Sequence, residues 1–161
     1  MTQRVITVSI LLVALVAIWQ IWPSDERRIR RIVHELAAAI EPGAGESDLA
    51  RAARLAPLSR HLASDVVVDG PAPLQGRDQV LGAALQMSRA AAGVSLRVHG
   101  VAVAVEPSRD TAVTTLGVTV TGGDAGRGET WRDLAELRLE LARRDDVWQV
   151  TRVAPVTALA R

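Results

Sequence analysis

The hydrophobic periodicity of this chain changes once, near residue 95, and the change limits the possible folds more than any other feature. Between residues 29 and 40, apolar side chains recur every three or four positions, as on one face of a helix. Between residues 136 and 141, Leu alternates strictly with Glu and Arg, as on a half-buried strand. Helices followed by a long antiparallel meander predict an α+β domain, with the helices covering one face of the sheet.

Three helices and five strands are predicted. The first helix starts after a Ser24 cap, ends at Pro42-Gly43, and buries Ile29, Ile32, Val33, Leu36, Ala37 and Ile40. The second starts near Ser47, is broken or kinked at Pro57, and buries Leu49, Ala52, Ala53 and Leu55. The third runs from Arg77 to about Ala91. The strands are 66–68, 96–106, 112–121, 131–143 and 147–153.

Residues 5–22 carry no charge, and at about 1.5 Å per residue they would span roughly 27 Å as a helix. Trp19 and Trp22 stand at the end of this segment, where indole rings favour a membrane interface. We therefore expect a transmembrane anchor over residues 1–23, followed by one domain over residues 24–161. A cleaved signal peptide is the alternative, but the stretch IWQIWPSD has no small-x-small cleavage site.

The charges that flank the anchor do not decide its orientation. Arg4 lies before the segment, and four arginines at positions 27, 28, 30 and 31 lie after it. Those four arginines belong to the first helix of the folded domain, so we do not count them as flanking charges. We therefore expect the amino terminus on the inner side of the membrane. The domain would then lie on the outer side, periplasmic or extracytoplasmic, of a single-pass membrane protein.

Composition excludes several classes of function. The formal net charge is +1, without the clustered basic surplus typical of nucleic-acid binding. The chain has no Cys, which excludes disulfides and cysteine-based zinc sites. The three His residues lack metal-ligand spacing, and the Gly-rich loop 122–128 lacks the residues of a phosphate loop. We expect neither a metal nor a cofactor.

Three segments carry a family resemblance: SDVVVDGP at 64–71, GRDQVLGAA at 76–84 and LELARRDDVWQVTRV at 139–153. With the order of the elements, they resemble the nuclear transport factor 2-like superfamily and its SnoaL-like branch over nearly all of residues 24–161. The resemblance implies a cone, in which a curved antiparallel sheet wraps around a long helix. The cone contains an apolar pocket. Members include isomerases, dehydratases and epoxide hydrolases, and also non-catalytic modules that bind ligands or pair through the open sheet face.

The resemblance also suggests candidate site residues. The chain has no Tyr, so an isomerase or dehydratase site that needs a phenol is excluded in its familiar form. An Asp-Arg-Asp set remains, formed by Asp69, Arg97 and Asp133, with His34 as a further candidate base. In the alternative interpretation Asp69 caps a turn, Arg97 is solvated and Asp133 lies at an exposed strand end. We expect the residues lining a ligand pocket to be Asp69, His99, Trp131, Asp133 and Trp148.

Two functions are compatible with this sequence. The first is a membrane-anchored, non-catalytic module that binds a partner protein or a small apolar ligand beside the membrane. Its partner would be a second copy of the chain or another membrane protein. The second is a small hydrolase or isomerase that acts on an apolar substrate inside the cone.

Overall fold

A computed structural model describes residues 24–41, 43, 45–90, 94–123 and 130–156. The helices are α1 (Asp25–Ile40), α2 (Asp48–His61) and α3 (Arg77–Ala90). The strands are β1 (Leu62–Val68), β2 (Leu74–Gln75), β3 (Ser95–Val105), β4 (Thr111–Gly123), β5 (Thr130–Arg144) and β6 (Val147–Pro155). The predicted anchor lies outside the described residues. Among the described residues, no helix is long and apolar enough to cross a bilayer.

The sheet is mixed, which corrects the prediction of a purely antiparallel one. Its strand order is β2-β1-β6-β5-β4-β3, and the pairs from β6 to β3 are antiparallel as predicted. Strand β1 instead runs parallel to β6, with Val68 opposite Val153. The two-residue strand β2 was not predicted, because it lies inside a Pro- and Gly-rich turn.

Helix α1 confirms most of the predicted apolar stripe. The Ser24 hydroxyl accepts the Arg27 backbone N–H at 3.4 Å, which caps the first turn. The predicted positions 29, 32, 33 and 36 are buried, but Ile40 at the last position is 36% exposed and Ala39 is buried instead. These side chains pack against the face of the sheet that points toward the helices, the inner face, where the core lies.

Helix α2 differs from the prediction in its length and in its buried face. It continues through Pro57 to His61, so the break expected there is absent. The predicted inner residue Leu49 is 83% exposed, and Ala52 and Ala53 are exposed too. The face that packs inward is Arg51, Arg54, Leu55, Leu58 and His61, at helical spacing. Because this face contains two arginines, its helical periodicity does not appear in the pattern of apolar residues.

Arg54 explains why a cationic residue lies on an inward face. Its guanidinium donates hydrogen bonds to both carboxylate oxygens of Glu46 at 2.9 Å, to the Ser88 hydroxyl at 3.0 Å and to the Ala39 carbonyl. The Arg54 hydrogen bonds hold the pKa of Glu46 below its usual range. One side chain therefore joins the end of α1, the loop before α2 and the end of α3.

A β-bulge at Gly100 decides which side of β3 faces the core. His99 pairs with Gly117 and Ala102 with Thr115, so three steps along β3 match two along β4. Gly100 has φ +62°, a left-handed conformation that glycine adopts without steric cost. The bulge shifts the alternation by one residue. Leu96 and Val98 therefore share the inner face with Val101, Val103 and Val105.

The sheet has two distinct ends. At the hairpin end, the turns 106–110 and 145–146 join β3 to β4 and β5 to β6. Helix α1 also starts at this end, where the Trp148 indole N–H donates a hydrogen bond to Asp25 at 3.3 Å. At the distal end, β3 and β5 begin and β4 ends. Helix α3 ends there as well, at Ala90, five residues before Ser95.

Candidate functional site

The outer face of the sheet carries a groove above Gly117. His99, Gly117 and Glu136 are cross-strand partners on β3, β4 and β5, so their side-chain positions form one row. A Cβ placed on Gly117 would lie 2.6 Å from His99 Cε1, so the imidazole occupies space that only glycine leaves free. The groove has a volume of about 340 Å³ and is lined by His99, Gly100, Leu116, Gly117, Leu134, Ala135 and Glu136.

Beside the groove, charged pairs cover the outer face of β1, β5 and β6. The Arg152 guanidinium lies 2.7 Å from Asp69, and Arg144 donates to both oxygens of Asp65 at 2.8 and 3.0 Å. The hydrogen bond from Arg144 lowers the pKa of Asp65. Within each pair the positive and negative charges neutralise each other, so this part of the outer face presents little net charge.

The outer face of β3 and β4 toward the hairpin end carries no charge. Ala102 lies opposite Thr115, and Ala104 lies opposite Val113. The two alanines are exposed, and Thr115 and Val113 are half-buried. We call these four residues the uncharged strip. Small side chains leave the backbone of the two strands open to close approach by another surface.

The inner face becomes exposed near the distal end. Leu96, Val120 and Asp133 form one cross-strand row there, and Gly122 and Trp131 pair in the next row outward. Leu96 and Val120 are partly buried against the core, while Asp133 is exposed and Trp131 is 51% exposed. This apolar floor with one carboxylate and one indole is a second surface able to take a ligand.

The predicted catalytic set is not brought together. Asp69 pairs with Arg152 on the outer face. Arg97 is exposed on the same outer face, opposite Thr119. Asp133 has the inner-face register, so Arg97 and Asp133 lie on opposite faces of the sheet.

The predicted pocket residues are divided in the same way. His99 lines the outer groove, Trp131 and Asp133 share the inner face, and Asp69 is ion-paired on the outer one. Trp148 is a core residue, 2% exposed, and its ring packs beneath α1 rather than against an open surface. Of the five predicted pocket residues, only Trp131 and Asp133 therefore share one exposed face at adjacent inner positions of β5.

The buried histidine is not the one that the sequence singled out. His34 is exposed on α1. His61 at the end of α2 is 7% exposed, and its Nε2 lies 2.8 Å from Glu35 of α1, while its Nδ1 has no partner among the described residues. No sequence spacing links positions 35 and 61, because the packing of α1 against α2 brings them together. Among the described residues, no cluster of three His, Asp or Glu could hold a metal.

Three helices on the inner face of a curved, mixed six-stranded sheet define the cone of an α+β fold. The family model for the SnoaL-like domain matches residues 24–154, and the chain belongs to that family. The family resemblance read from the sequence is thereby confirmed. No curated protein sequence gives a significant match.

Solved structures show the same fold. The chain is similar to an NTF2-like protein with a cystatin-like fold from Novosphingobium aromaticivorans, with 20% identity over 92% of this chain and 90% of that one and a TM-score of 0.63. It is similar to an NTF2-like superfamily protein from Salmonella enterica, with 13% identity over 84% and 95% and a TM-score of 0.65. It is also similar to the association domain of C. elegans CaMKII, with 13% identity over 83% and 96% and a TM-score of 0.62.

Proposed function

We propose that this protein is a membrane-anchored, non-catalytic SnoaL-like module that pairs with a second copy of itself through the outer face of its sheet. The observation that carries the proposal is the uncharged strip of Ala102, Ala104, Val113 and Thr115. Charged residues are depleted at the centre of protein interfaces, and small residues allow two sheets to approach closely. The neutralised charge pairs on β5 and β6 would then form a polar rim beside the strip.

The separation of the acid–base candidates supports a non-catalytic role. The carboxylate of Asp69 is neutralised by Arg152, and Arg97 lies on the opposite face from Asp133. An acid and a base must both reach one substrate, and these side chains do not converge on one cavity.

The anchor and the hairpin end lie next to each other in the proposal. Helix α1 starts at Asp25, one residue after the segment 1–23, and its first turn contacts Trp148 at the hairpin end. The hairpin end would therefore face the bilayer, and the distal end would point away from it. The domain would lie on the outer side of the membrane. We expect the full chain to stay in the membrane fraction during alkaline extraction, held there by residues 1–23. We also expect protease added from outside to digest the domain.

Native mass spectrometry of the full chain, gently released from its own membrane, tests the pairing. We expect a dimer for the natural sequence and a monomer for Ala104→Arg, because two buried guanidinium groups would face each other without partners. Ala38→Arg is the matched control, since Ala38 is exposed on the helical side of the domain, and it should remain dimeric. A monomeric natural protein at every concentration refutes the pairing. A different membrane protein that is lost only in Ala104→Arg would replace the second copy as partner.

Hydrolysis or isomerisation of an apolar substrate inside the cone is the second candidate function. It is favoured by Asp133, a carboxylate on the inner face that takes part in none of the ion pairs among the described residues. A small molecule that copurifies with a single chain would support this function, and its mass would define the substrate class. Asp133→Asn should then abolish turnover, and unchanged turnover would remove Asp133 from the mechanism.

A further inference from the structure

The distal end of the inner face combines an indole that packs on a glycine with a carboxylate that takes part in no ion pair among the described residues. A Cβ placed on Gly122 would lie 2.5 Å from Trp131 Cζ2, so the ring rests directly on the glycine backbone. The residue is nevertheless 51% exposed. The support from Gly122 fixes the position of the ring while part of its surface stays free to contact a ligand.

Asp133 is the next residue of β5 on the same face. Its carboxylate accepts the Leu134 backbone N–H at 2.9 Å and takes part in no ion pair among the described residues. Among the described residues, the arginines at neighbouring sheet positions do not lie on its face. Arg132 alternates to the outer face of β5, and Arg97 lies on the outer face of β3.

The floor beside these two residues is apolar. Leu96 and Val120 continue the Asp133 row across β3 and β4, and both are partly buried against the core. An aromatic face, an acid and an apolar floor are the components with which proteins recognise ammonium groups that carry an apolar body.

We propose that Trp131 and Asp133 bind an organic cation, a substituted ammonium group with an apolar substituent, at the distal end of the cone. The ammonium would contact the indole face and the Asp133 carboxylate, and the apolar substituent would lie on Leu96 and Val120. The site is on the inner face and does not involve the uncharged strip, so it goes beyond the proposed pairing and does not depend on it.

The competing explanation is structural. An aromatic side chain often covers a glycine on the adjacent strand and stabilises the sheet there. His99 covers Gly117 on the outer face in the same way. That explanation gives the negative charge of Asp133 no role, and so the two accounts differ in the effect of neutralising that charge.

The test uses the full chain in a non-ionic maltoside detergent, because a phosphocholine detergent would carry a competing ammonium group. The probe is benzyltrimethylammonium, and 2-phenylethanol is the neutral aromatic control. The readout is the NMR signal of the Trp131 indole N–H, assigned by its loss in Trp131→Leu, with the buried Trp148 as an internal reference. We expect saturable shifts of the Trp131 signal, and about fivefold weaker binding of the neutral compound.

Asp133→Asn should weaken binding of the ammonium probe about fivefold and leave binding of 2-phenylethanol unchanged. Glu106→Gln removes an exposed carboxylate at the far end of β3 and should change neither. Gly122→Ala displaces the indole ring and should weaken the binding of both compounds. The proposal is overturned if the ammonium probe does not shift Trp131, or if Asp133→Asn leaves its affinity unchanged.

Discussion

Gly100→Ala isolates the backbone cost of the bulge that orients β3. Gly100 has φ +62°, and a Cβ added to it would meet no atom within 4 Å. The substitution therefore causes no clash, and its effect comes from the left-handed conformation, which costs about 1–2 kcal/mol for a residue with a side chain. The lower entropy of the unfolded alanine chain offsets about 0.4–1 kcal/mol of this cost. We expect the free energy of unfolding to fall by about 1 kcal/mol.

Gly82→Ala is the matched control, because it makes the same chemical change where the backbone is helical. Gly82 is exposed in the middle of α3, and an added Cβ there also meets no atom within 4 Å. Alanine should raise the free energy of unfolding by about 0.5–1 kcal/mol at this position. Urea unfolding followed by far-ultraviolet circular dichroism measures both values, and Gly100→Asn should be less destabilising than Gly100→Ala because Asn tolerates positive φ.

The opposite signs of the two alanine substitutions are the essential result. If Gly100→Ala stabilises the protein as Gly82→Ala does, residue 100 does not need a left-handed backbone. The bulge would then not depend on a glycine at position 100.

Two further predictions concern the helices and the core. Glu46→Gln should lower the melting temperature most at neutral pH. The Arg54 hydrogen bonds depress the pKa of Glu46 in the folded state, so its stabilisation is present above 4.5, the ordinary value, and is lost as the pH falls through the folded value. The gap between variant and natural protein should close below pH 4.5, and a pH-independent gap would refute this account. Trp148→Ala removes an indole that is 2% exposed and should cost about 3–5 kcal/mol in unfolding free energy, measured by urea titration.

The long regular elements could be predicted from local patterns. The alternation in β5 and the helical stripe of α1 are dictated by which side chains must leave water, and both elements formed within a few residues of the predicted bounds. Helix α2 could not be predicted in the same detail. Its inward face contains Arg51 and Arg54, and arginine becomes an inward residue only because Glu46 is brought near to pair with it.

The candidate site was predicted only in part. In the sequence Asp133 alternates in step with Leu137, Leu139 and Leu141, and in the structure it shares their inner face, because alternation along one strand is a local property. The face of Arg97 was undetermined, because both sides of β3 are apolar in sequence. The register shift at Gly100 decides it, and that shift depends on pairing with β4.

The sequence by itself determined the α+β class, the order of helices and strands, and the family, because these follow from hydrophobic periodicity and short local motifs. Tertiary structure alone decided the parallel pairing of β1 with β6, the pairing of Glu35 with His61, and the separation of Arg97 from Asp133. Each of these depends on residues far apart in the chain. Local patterns specify which side of an element is buried, but only chain closure specifies which other element lies against it.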